Sequence, residues 1–321
     1  MSAKTQLTEQ QLHDFLSNFP IPPVQSIDFI AAGSENSNYI VRTGAKKYIL
    51  TILEDTVDQA ILPYIRDVFV ALESRNALTP SLITALDGKR IRNIIPEKKA
   101  VLQTFLEGCT EHTPTEEQCF AAGRALASIH NTLKDTNLGF MPNRYNHNGL
   151  SMILTEKYDN IANHSPRFAT VLASIKSTLE DLDTAPMETL PEGPIHGVFF
   201  RENVLFTEEM ITGVIDLWFS CTDSYLYDLC LALVDFGFIN GSFIDDNFNA
   251  LKDGYTSIRP LENTEIQLFD KVMSLAAIRL ALTYMISHVD TEAPRNRNQH
   301  DIEDVLLMLD YVMNNNLNNN I

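Results

Sequence analysis

The chain has 321 residues, 45% of them hydrophobic and 21% charged, which is the composition of a globular protein with one large or two medium domains. Its formal net charge of −18 at pH 7 argues against binding nucleic acid or an anionic membrane through a basic face. The N-terminal MSAKTQLTEQQLHDF lacks the apolar core of a signal peptide, and no run approaches a membrane span. We therefore expect a cytoplasmic protein, whose oligomeric state the sequence leaves open.

The first third of the chain is predicted to form a small mixed sheet with one or two helices. Thr8 and Gln11 have the spacing of a capping box, which marks the start of a short helix. Two β-like runs at residues 38–43 and 47–53 are joined at Gly44 and predict a hairpin. The pattern then predicts a helix over residues 63–76 and a second strand pair that brackets Asp87-Gly88 and ends with residues 100–106.

From about Glu107 the sequence becomes predominantly helical. Thr115 and Gln118 again have capping-box spacing, for a helix that runs through Leu133. Helical periodicity recurs in five later stretches, namely 152–183, 224–237, 244–256, 264–289 and 301–314. We therefore predict an α+β fold of two lobes, a small β-rich lobe over residues 1–106 and a larger helical lobe over residues 107–321.

A β-rich stretch inside the helical lobe, residues 195–218, carries the most informative motif. His196 is followed seven residues later by Asn203, and Asp216 ends an apolar strand after a short turn. This is the layout of a phosphotransferase catalytic loop. An amide oxygen and a carboxylate are suited to hold Mg²⁺ on the phosphates of ATP. A strand and turn with incidental polar residues is the alternative, but a carboxylate at the end of an apolar strand is costly to desolvate.

One position departs from this layout. Val198 stands two residues after His196, where kinases of this type place the aspartate that orients and deprotonates the acceptor hydroxyl. The candidate catalytic residues are therefore His196, Arg201 and the position of Val198, and the candidate metal ligands are Asn203 and Asp216. A general base contributes about 10²–10⁴-fold to the rate, so its absence predicts slow turnover.

The small lobe contains candidate nucleotide contacts. Small and polar residues at 33–38 suit a loop whose backbone N–H groups close over phosphates, although an ordinary β-turn fits them equally well. Thr51 stands where protein kinases place a phosphate-binding lysine, which leaves that cation unassigned. ATP is then expected between the two lobes.

Three polar residues of the helical lobe are predicted to have structural roles. Asp223 is placed to N-cap the helix that follows it. Asp228 then lies one turn inside that helix, where its side chain can reach back and brace the catalytic loop. His130 is predicted to interact with the C-terminal end of its own helix.

Seven segments together resemble the bacterial homoserine kinases of the aminoglycoside-phosphotransferase-like class. They are GSENSNYIVRT, KKYILTILE, LQTFLEG, GRALASIH, PIHGVFFRENVLF, GVIDLWFSCTDSYLYDLCLAL and GYTSIRPL. The resemblance covers the chain from about residue 5 to about residue 312. The resemblance implies a protein-kinase-like fold. It also implies transfer of the γ-phosphate of ATP to the side-chain hydroxyl of L-homoserine, a step in threonine biosynthesis.

The resemblance implies roles for individual residues. Asn203 and Asp216 match the metal-binding pair of this class. Residues 34–38 match the phosphate loop and residues 103–108 match the connector whose backbone meets adenine, so the implied nucleotide contacts are Ser34, Asn36, Asn38, Gln103 and Phe105. Thr is usual in this class at the position of Thr51. Val198 replaces the aspartate of the class.

The valine leaves several functions open. The first is a slow kinase, in which Glu202 or Asp223 could partly replace the missing base. The second is a pseudokinase that binds ligands without turnover. The third is an inactive relative that binds no ligand. The acceptor is open as well, because choline, sugar and aminoglycoside kinases share this architecture.

Overall fold

A computed structural model describes residues 5, 7–31, 36–44, 46–54, 58–290 and 301–317. The chain divides into two compact units. The first contains Met1–Gly108 and Gly213–Trp218, and the second contains Cys109–Thr212 and Phe219–Ile321. The domain boundary expected between residues 106 and 107 stays a prediction. The α+β class is confirmed, because an antiparallel sheet dominates the first unit and helices dominate the second.

The first unit is built around one five-stranded antiparallel sheet with the order β1-β2-β3-β5-β4. Its strands are β1 (Val24–Ile30), β2 (Ser37–Thr43), β3 (Lys47–Leu53), β4 (Arg92–Ile95) and β5 (Lys98–Thr104), and its helices are α1 (Glu9–Leu16) and α2 (Leu62–Ser74). The predicted hairpin is confirmed, since β2 and β3 pair in antiparallel register. Side chains alternate between buried and partly buried along β2, which is the pattern of a strand with one face toward the core.

The main core of the first unit lies between α1 and one face of the sheet. Leu12, Phe15 and Leu16 of α1 are buried against this face. The helix begins where the sequence predicts, because Thr8 and Gln11 form a complete capping box. The contact with α1 explains why alternate residues of β2 and β3 are apolar.

Two features of the sheet differ from the sequence prediction. The strand β1 was not predicted, and it forms one edge of the sheet beside β2. The second strand pair does not bracket Asp87-Gly88, because β4 and β5 are joined by the turn between Ile95 and Lys98. Asp87 and Gly88 instead lie in a separate turn, in which Gly88 has φ 81°, a conformation that glycine adopts without steric cost.

The second unit is mainly helical. Its helices are α3 (Glu116–Lys134), α4 (His147–Ala162), α5 (Pro166–Leu182), α6 (Tyr225–Phe236), α7 (Asp245–Thr256), α8 (Asn263–Asp290) and α9 (Ile302–Asn314). The capping box at Thr115 is confirmed. The periodic stretch at 152–183 is divided into α4 and α5, because Ser165 caps a new helix that has Pro166 in its first turn.

Short strands frame the predicted catalytic loop. They are β6 (Glu192–Ile195), β7 (Val204–Thr207), β8 (Met210–Val214) and β9 (Cys221–Ser224), and a further short pair consists of β10 (Phe238–Ile239) and β11 (Ser242–Phe243). β6 pairs with β9, and β7 pairs with β8. The loop therefore leaves β6 at Ile195 and enters β7 at Val204.

The helix α8 is long and apolar enough, by length and composition, to cross a membrane. The expectation that no run approaches a membrane span is therefore wrong as a statement about composition. Within the protein, 61% of the most apolar stretch of α8 is buried, and the helix packs against α4, α6 and α9. This degree of burial is typical of a helix in the core of a protein.

Candidate active site

A carboxylate of α6 holds the turn at His196 and Gly197. Asp228 is fully buried and accepts the backbone N–H groups of His196 at 2.8 Å and of Gly197 at 2.9 Å. Burial alone would raise the pKa of Asp228, but hydrogen bonds from His130 and His196 lower it below its ordinary value. Asp228 therefore braces the loop, as its place one turn inside the helix predicts.

His130 of α3 is part of the same buried cluster. Its Nε2 lies 3.0 Å from a carboxylate oxygen of Asp228, and its Nδ1 lies 2.8 Å from the hydroxyl oxygen of Tyr255. The ring is completely buried. His130 is therefore engaged with side chains of α6 and α7, rather than with the end of its own helix as the sequence suggested.

The side-chain amide of Asn203 is oriented by the backbone at Val198. Its Nδ2 donates to the carbonyl oxygen of Val198 at 2.9 Å, and the side chain is largely buried. Because the nitrogen is used in this bond, the amide oxygen is the atom that remains for a cation. A neutral oxygen ligand fixed in this way suits a hard divalent metal ion.

The backbone around Val198 is closely confined. Gly197 has φ 80°, and a Cβ atom at this position would lie 2.6 Å from the carbonyl oxygen of Phe219. Val198 donates its N–H to Nδ1 of His196 at 3.3 Å, and its side chain is only 6% exposed. An apolar, buried side chain therefore occupies the position where the sequence motif has an aspartate.

His196 and Arg201, the other two candidate catalytic residues, hold the loop in place. The ring of His196 is completely buried and accepts the N–H of Val198. Arg201 is paired with Asp235 of α6, which receives both the backbone N–H of Arg201 at 2.6 Å and its Nε–H at 3.2 Å. Nη1 of Arg201 also donates to the carbonyl oxygen of His112 at 2.6 Å. These bonds give both residues a positioning function.

Asp216 lies just after β8 and has an unusual backbone conformation. Its φ is 67°, in the left-handed region that few residues other than glycine adopt, although Asp tolerates it better than most. Its side chain is partly exposed. Backbone strain of this kind clusters at functional sites, and it accords with a carboxylate that must point in one particular direction.

Asp223 does not cap α6 as predicted. The cap is the next residue, Ser224, whose hydroxyl accepts the N–H of Tyr227. Asp223 accepts a hydrogen bond from Nδ2 of Asn143 at 2.7 Å and one from the backbone N–H of Ser224. Burial raises the pKa of Asp223 above its ordinary value despite these bonds.

Two charged residues beside the loop, Asp235 and Arg279, were not predicted from the sequence. Arg279 of α8 is 5% exposed, and it donates a hydrogen bond to the carbonyl oxygen of Gly197. The sequence contains a signal for it, because Arg279 is the one charged residue in the apolar run 275–282. Single charges inside apolar helices have a specific partner more often than not.

In the first unit, three of the polar residues singled out in the sequence share one face of the sheet. Nε2 of Gln103 on β5 donates to the hydroxyl of Thr51 on β3 at 2.8 Å, and that hydroxyl donates to Oδ1 of Asn38 on β2 at 2.7 Å. The strands bring these residues together through the register Asn38 to Thr51. The Thr51 hydroxyl thus links two of the predicted nucleotide contacts.

The remaining predicted nucleotide contacts are more scattered. Asn36 accepts the backbone N–H of Glu54 at 3.2 Å, and Phe105 lies under the ammonium group of Lys47, 4.7 Å from ring centre to nitrogen. Lys47 also forms an exposed ion pair with Glu107. Ser34 lies outside the described residues.

The sequence matches a known family over most of its length. Residues 26–261 match the model of the phosphotransferase enzyme family. A homoserine kinase of Hyphomonas neptunium is 33% identical over 304 residues, which cover 91% of each chain. A homoserine kinase of Mesorhizobium japonicum is 32% identical over 284 residues, which cover 88% of this chain and 87% of the relative.

Solved structures of other kinases have the same fold. An amicoumacin kinase in complex with AMP-PNP and Ca²⁺ superposes with a TM-score of 0.68 at 12% identity, covering 96% of this chain and 92% of that one. A choline kinase of Cryptosporidium parvum superposes with a TM-score of 0.67 at 13% identity, covering 95% and 94%. The predicted protein-kinase-like fold is therefore confirmed. The chain is an enzyme that belongs to the phosphotransferase enzyme family, among its homoserine kinases.

Proposed function

We propose that this enzyme transfers the γ-phosphoryl group of ATP to the side-chain hydroxyl of L-homoserine, and that it does so slowly because Val198 supplies no general base. The observation that carries the proposal is the catalytic loop, with the Asn203 amide oriented by the carbonyl oxygen of Val198. The homoserine kinases that match about nine-tenths of the chain favour homoserine as the acceptor. In cells this reaction would serve threonine biosynthesis.

Asn203 and Asp216 are the proposed ligands of a divalent cation, which we take to be Mg²⁺. Asn203 directly precedes β7, and Asp216 stands two residues after the end of β8. An amide oxygen and a carboxylate are the ligand types that Mg²⁺ prefers. When bound, the ion would neutralise charge on the phosphate oxygens of the nucleotide.

The proposed nucleotide contacts are the residues that the resemblance implied. Asn38 and Gln103 are held in one hydrogen-bonded row by Thr51, so their side chains have defined directions. Asn36 is anchored to the backbone after β3 through Glu54. Ser34 and the backbone at Phe105 complete the proposed set.

The low turnover rate that we propose follows from the absence of a general base in the catalytic loop. A general base contributes about 10²–10⁴-fold, while kinases with a complete site turn over at roughly 1–100 s⁻¹. Positioning and charge stabilisation remain, so we expect a rate of roughly 10⁻⁴–1 s⁻¹. Asp223 is a poor substitute base, since Asn143 and the backbone of Ser224 already occupy its carboxylate.

The test is an assay of ADP release with a panel of acceptors at matched concentrations, which contains L-homoserine, other hydroxylated amino acids, choline, a sugar and an aminoglycoside. Because the expected rate is low, the phosphorylated product is identified by mass spectrometry. Asp216→Ala, purified in parallel, measures contaminating kinase activity. We expect O-phosphohomoserine from the wild type and none above background from the variant.

Two results would contradict the proposal. Faster ADP release with choline, the sugar or the aminoglycoside would identify a different acceptor. Binding of Mg·ATP without any acceptor-dependent product would identify a pseudokinase, for which the buried Val198 is the observation in favour.

A further inference from the structure

Arg279 differs from the other buried arginines of the second unit. Arg201 is paired with Asp235, and Arg259 with Glu265, and all four side chains are at most 11% exposed. Arg279 is just as buried, at 5% exposure, but no carboxylate of the described residues lies within ion-pair distance of it. A buried charge without a counter-charge is strongly destabilising, so a position of this kind calls for a functional reason.

The side chains around Arg279 pack against its guanidinium group but do not neutralise its positive charge. The group lies 4.5 Å from the ring centre of Tyr145 and 5.8 Å from that of Phe200. Nη1 donates to the carbonyl oxygen of Gly197. Two aromatic faces and one carbonyl oxygen offset only part of the desolvation of the charge.

Two nitrogens of Arg279 remain for a ligand. Among the described residues Nε and Nη2 have no hydrogen-bond partner, yet neither nitrogen is sealed from solvent. A guanidinium group with its donors free on one side matches the geometry of a carboxylate, which can accept two parallel hydrogen bonds. The group therefore has the donor geometry of an anion receptor.

Hydrogen bonds from several residues hold Tyr145, which packs against the guanidinium group of Arg279. Tyr145 donates its backbone N–H to Oδ1 of Asn143, and its carbonyl oxygen accepts the hydroxyl of Tyr227 at 2.9 Å. Asn143 in turn donates to Asp223. These bonds fix the backbone at Tyr145, whose ring lies against Arg279, so this part of the receptor is preorganised before any ligand binds.

The receptor adjoins the position at which phosphoryl transfer is expected. Gly197, whose carbonyl oxygen Arg279 holds, is the residue before Val198, and Phe200 follows two residues later. In the sequence motif, position 198 faces the acceptor hydroxyl. A molecule that places its hydroxyl there and carries an anionic group a few bonds away would reach Arg279.

We propose that Arg279 binds the α-carboxylate of the acceptor and thereby selects an amino acid over an amino alcohol. The inference rests on the proposed function, in that it concerns the acceptor of the same reaction. Arg279 is a specificity-determining residue, and Tyr145, Asn143 and Asp223 are positioning residues behind it. A phosphate oxygen of the nucleotide is the other anion that a guanidinium group could take, and the experiment separates the two.

The experiment compares L-homoserine with two analogues that lack its negative charge, 3-aminopropan-1-ol and L-homoserine amide. For each, kcat/KM is measured with saturating ATP, and binding is measured by calorimetry without nucleotide. We expect the wild type to favour homoserine by on the order of 10²-fold, the loss typical of removing one partner of a buried charge pair.

Three variants locate the source of that preference. Arg279→Met should abolish it by weakening homoserine alone, and Arg279→Lys should leave part of it, since a lysine keeps the charge but not the paired donors. Arg144→Met is the matched control. Arg144 lies 4.7 Å from the same Tyr145 ring but is exposed, so its loss should leave the preference intact.

Each alternative outcome is distinct. Equal use of homoserine and its uncharged analogues by the wild type would overturn the inference, as would a preference that is lost in Arg144→Met and kept in Arg279→Met. An increase in KM for ATP in Arg279→Met, with an unchanged acceptor ratio, would assign the arginine to phosphate instead. If Arg279→Met does not fold, the inference is tested by Arg279→Lys and by the comparison of homoserine with its amide.

Failure of the proposed function would look different. If the wild type binds homoserine in an Arg279-dependent way but phosphorylates another compound, the reaction is misassigned and the carboxylate receptor stands. If it phosphorylates homoserine with no Arg279-dependent preference over the amide, the reaction stands and the receptor does not.

Discussion

The side-chain amide of Asn203 donates to the carbonyl oxygen of Val198 across 2.9 Å. This bond ties a proposed metal ligand to the backbone of the one position at which the loop departs from its motif. The backbone N–H of Val198 also has a partner, because it donates to the ring nitrogen Nδ1 of His196. Neither contact involves the valine side chain, so the loop can keep its shape when that side chain changes.

The first prediction follows from this independence. Val198→Asp should raise kcat for the acceptor by a large part of the factor of about 10²–10⁴ that a general base supplies. Some loss of stability should accompany it, because the position is only 6% exposed and a carboxylate there must be solvated or paired. Single-turnover kinetics with saturating Mg·ATP is the measurement.

Val198→Asn is the control for this substitution, since it has the size and polarity of the aspartate but no basic group. A gain in the aspartate variant that the asparagine variant shares would point to polarity rather than proton transfer. No gain in a folded, nucleotide-binding Val198→Asp, or a wild type that already turns over as a complete kinase does, would contradict the assigned role of this position.

The second prediction concerns the metal. Asp216→Ala should weaken nucleotide binding in the presence of Mg²⁺ and leave binding in EDTA unchanged, because it removes an anionic oxygen ligand. Titration calorimetry with and without the metal measures both values. Glu202→Ala, at an exposed position of the catalytic loop next to Asn203, is the control. Equal Mg·ATP affinity in the wild type and Asp216→Ala would disprove the assignment.

The third prediction tests how α6 holds the loop. Asp228→Asn removes the charge that accepts the N–H groups of His196 and Gly197, and it leaves one of these donors or His130 without an acceptor. We expect a loss of about 1–3 kcal/mol in the free energy of unfolding, the cost of leaving a buried hydrogen-bonding group without its partner. Urea denaturation followed by circular dichroism measures it.

Glu156→Gln provides the comparison for this variant, because its side chain is 74% exposed on α4. Its unfolding free energy should stay within about 0.5 kcal/mol of the wild type. A similarly small change in Asp228→Asn would mean that the hydrogen bonds to Asp228 contribute little to holding the loop.

The fourth prediction is a pH dependence in the first unit. Glu54 is buried, and burial by itself would raise its pKa, but hydrogen bonds from Ser37, Thr5 and Lys98 lower the pKa below its ordinary value. The folded state therefore binds this proton less readily than the unfolded state does. The stabilisation is complete above the unfolded pKa of about 4.3 and is lost as the pH falls through the lower native pKa.

Denaturation of the wild type and Glu54→Gln between pH 7 and pH 3 checks this sign. At pH 7 the variant should be less stable by about 1–3 kcal/mol, and the difference should shrink below pH 4. Glu97→Gln, an exposed residue of the turn before β5, should show no such trend. A difference that grows toward low pH would reverse the proposed direction of the shift.

Local structure in this chain was largely predictable from the sequence. The capping boxes at Thr8 and Thr115 involve residues three positions apart, and the β2–β3 hairpin follows from alternation over a few residues. The edge strand β1 escaped prediction because none of its residues is fully buried, so its apolar pattern is weak. Asp223 was one residue from the true cap, since aspartate and serine are almost equally good at that position.

The order of His196, Asn203 and Asp216 along the chain predicts a phosphotransferase loop, because that chemistry depends on residue types at short, regular spacings. The family was predicted separately, from the resemblance of seven sequence segments. Only the tertiary structure decided which partner each buried charge has. Asp228 reaches His130 across 98 positions, and Arg279 reaches Gly197 across 82. Contacts between residues so far apart in the sequence depend on how the helices pack against one another. Because these charges are buried, the presence or absence of a counter-charge has a large effect on the free energy.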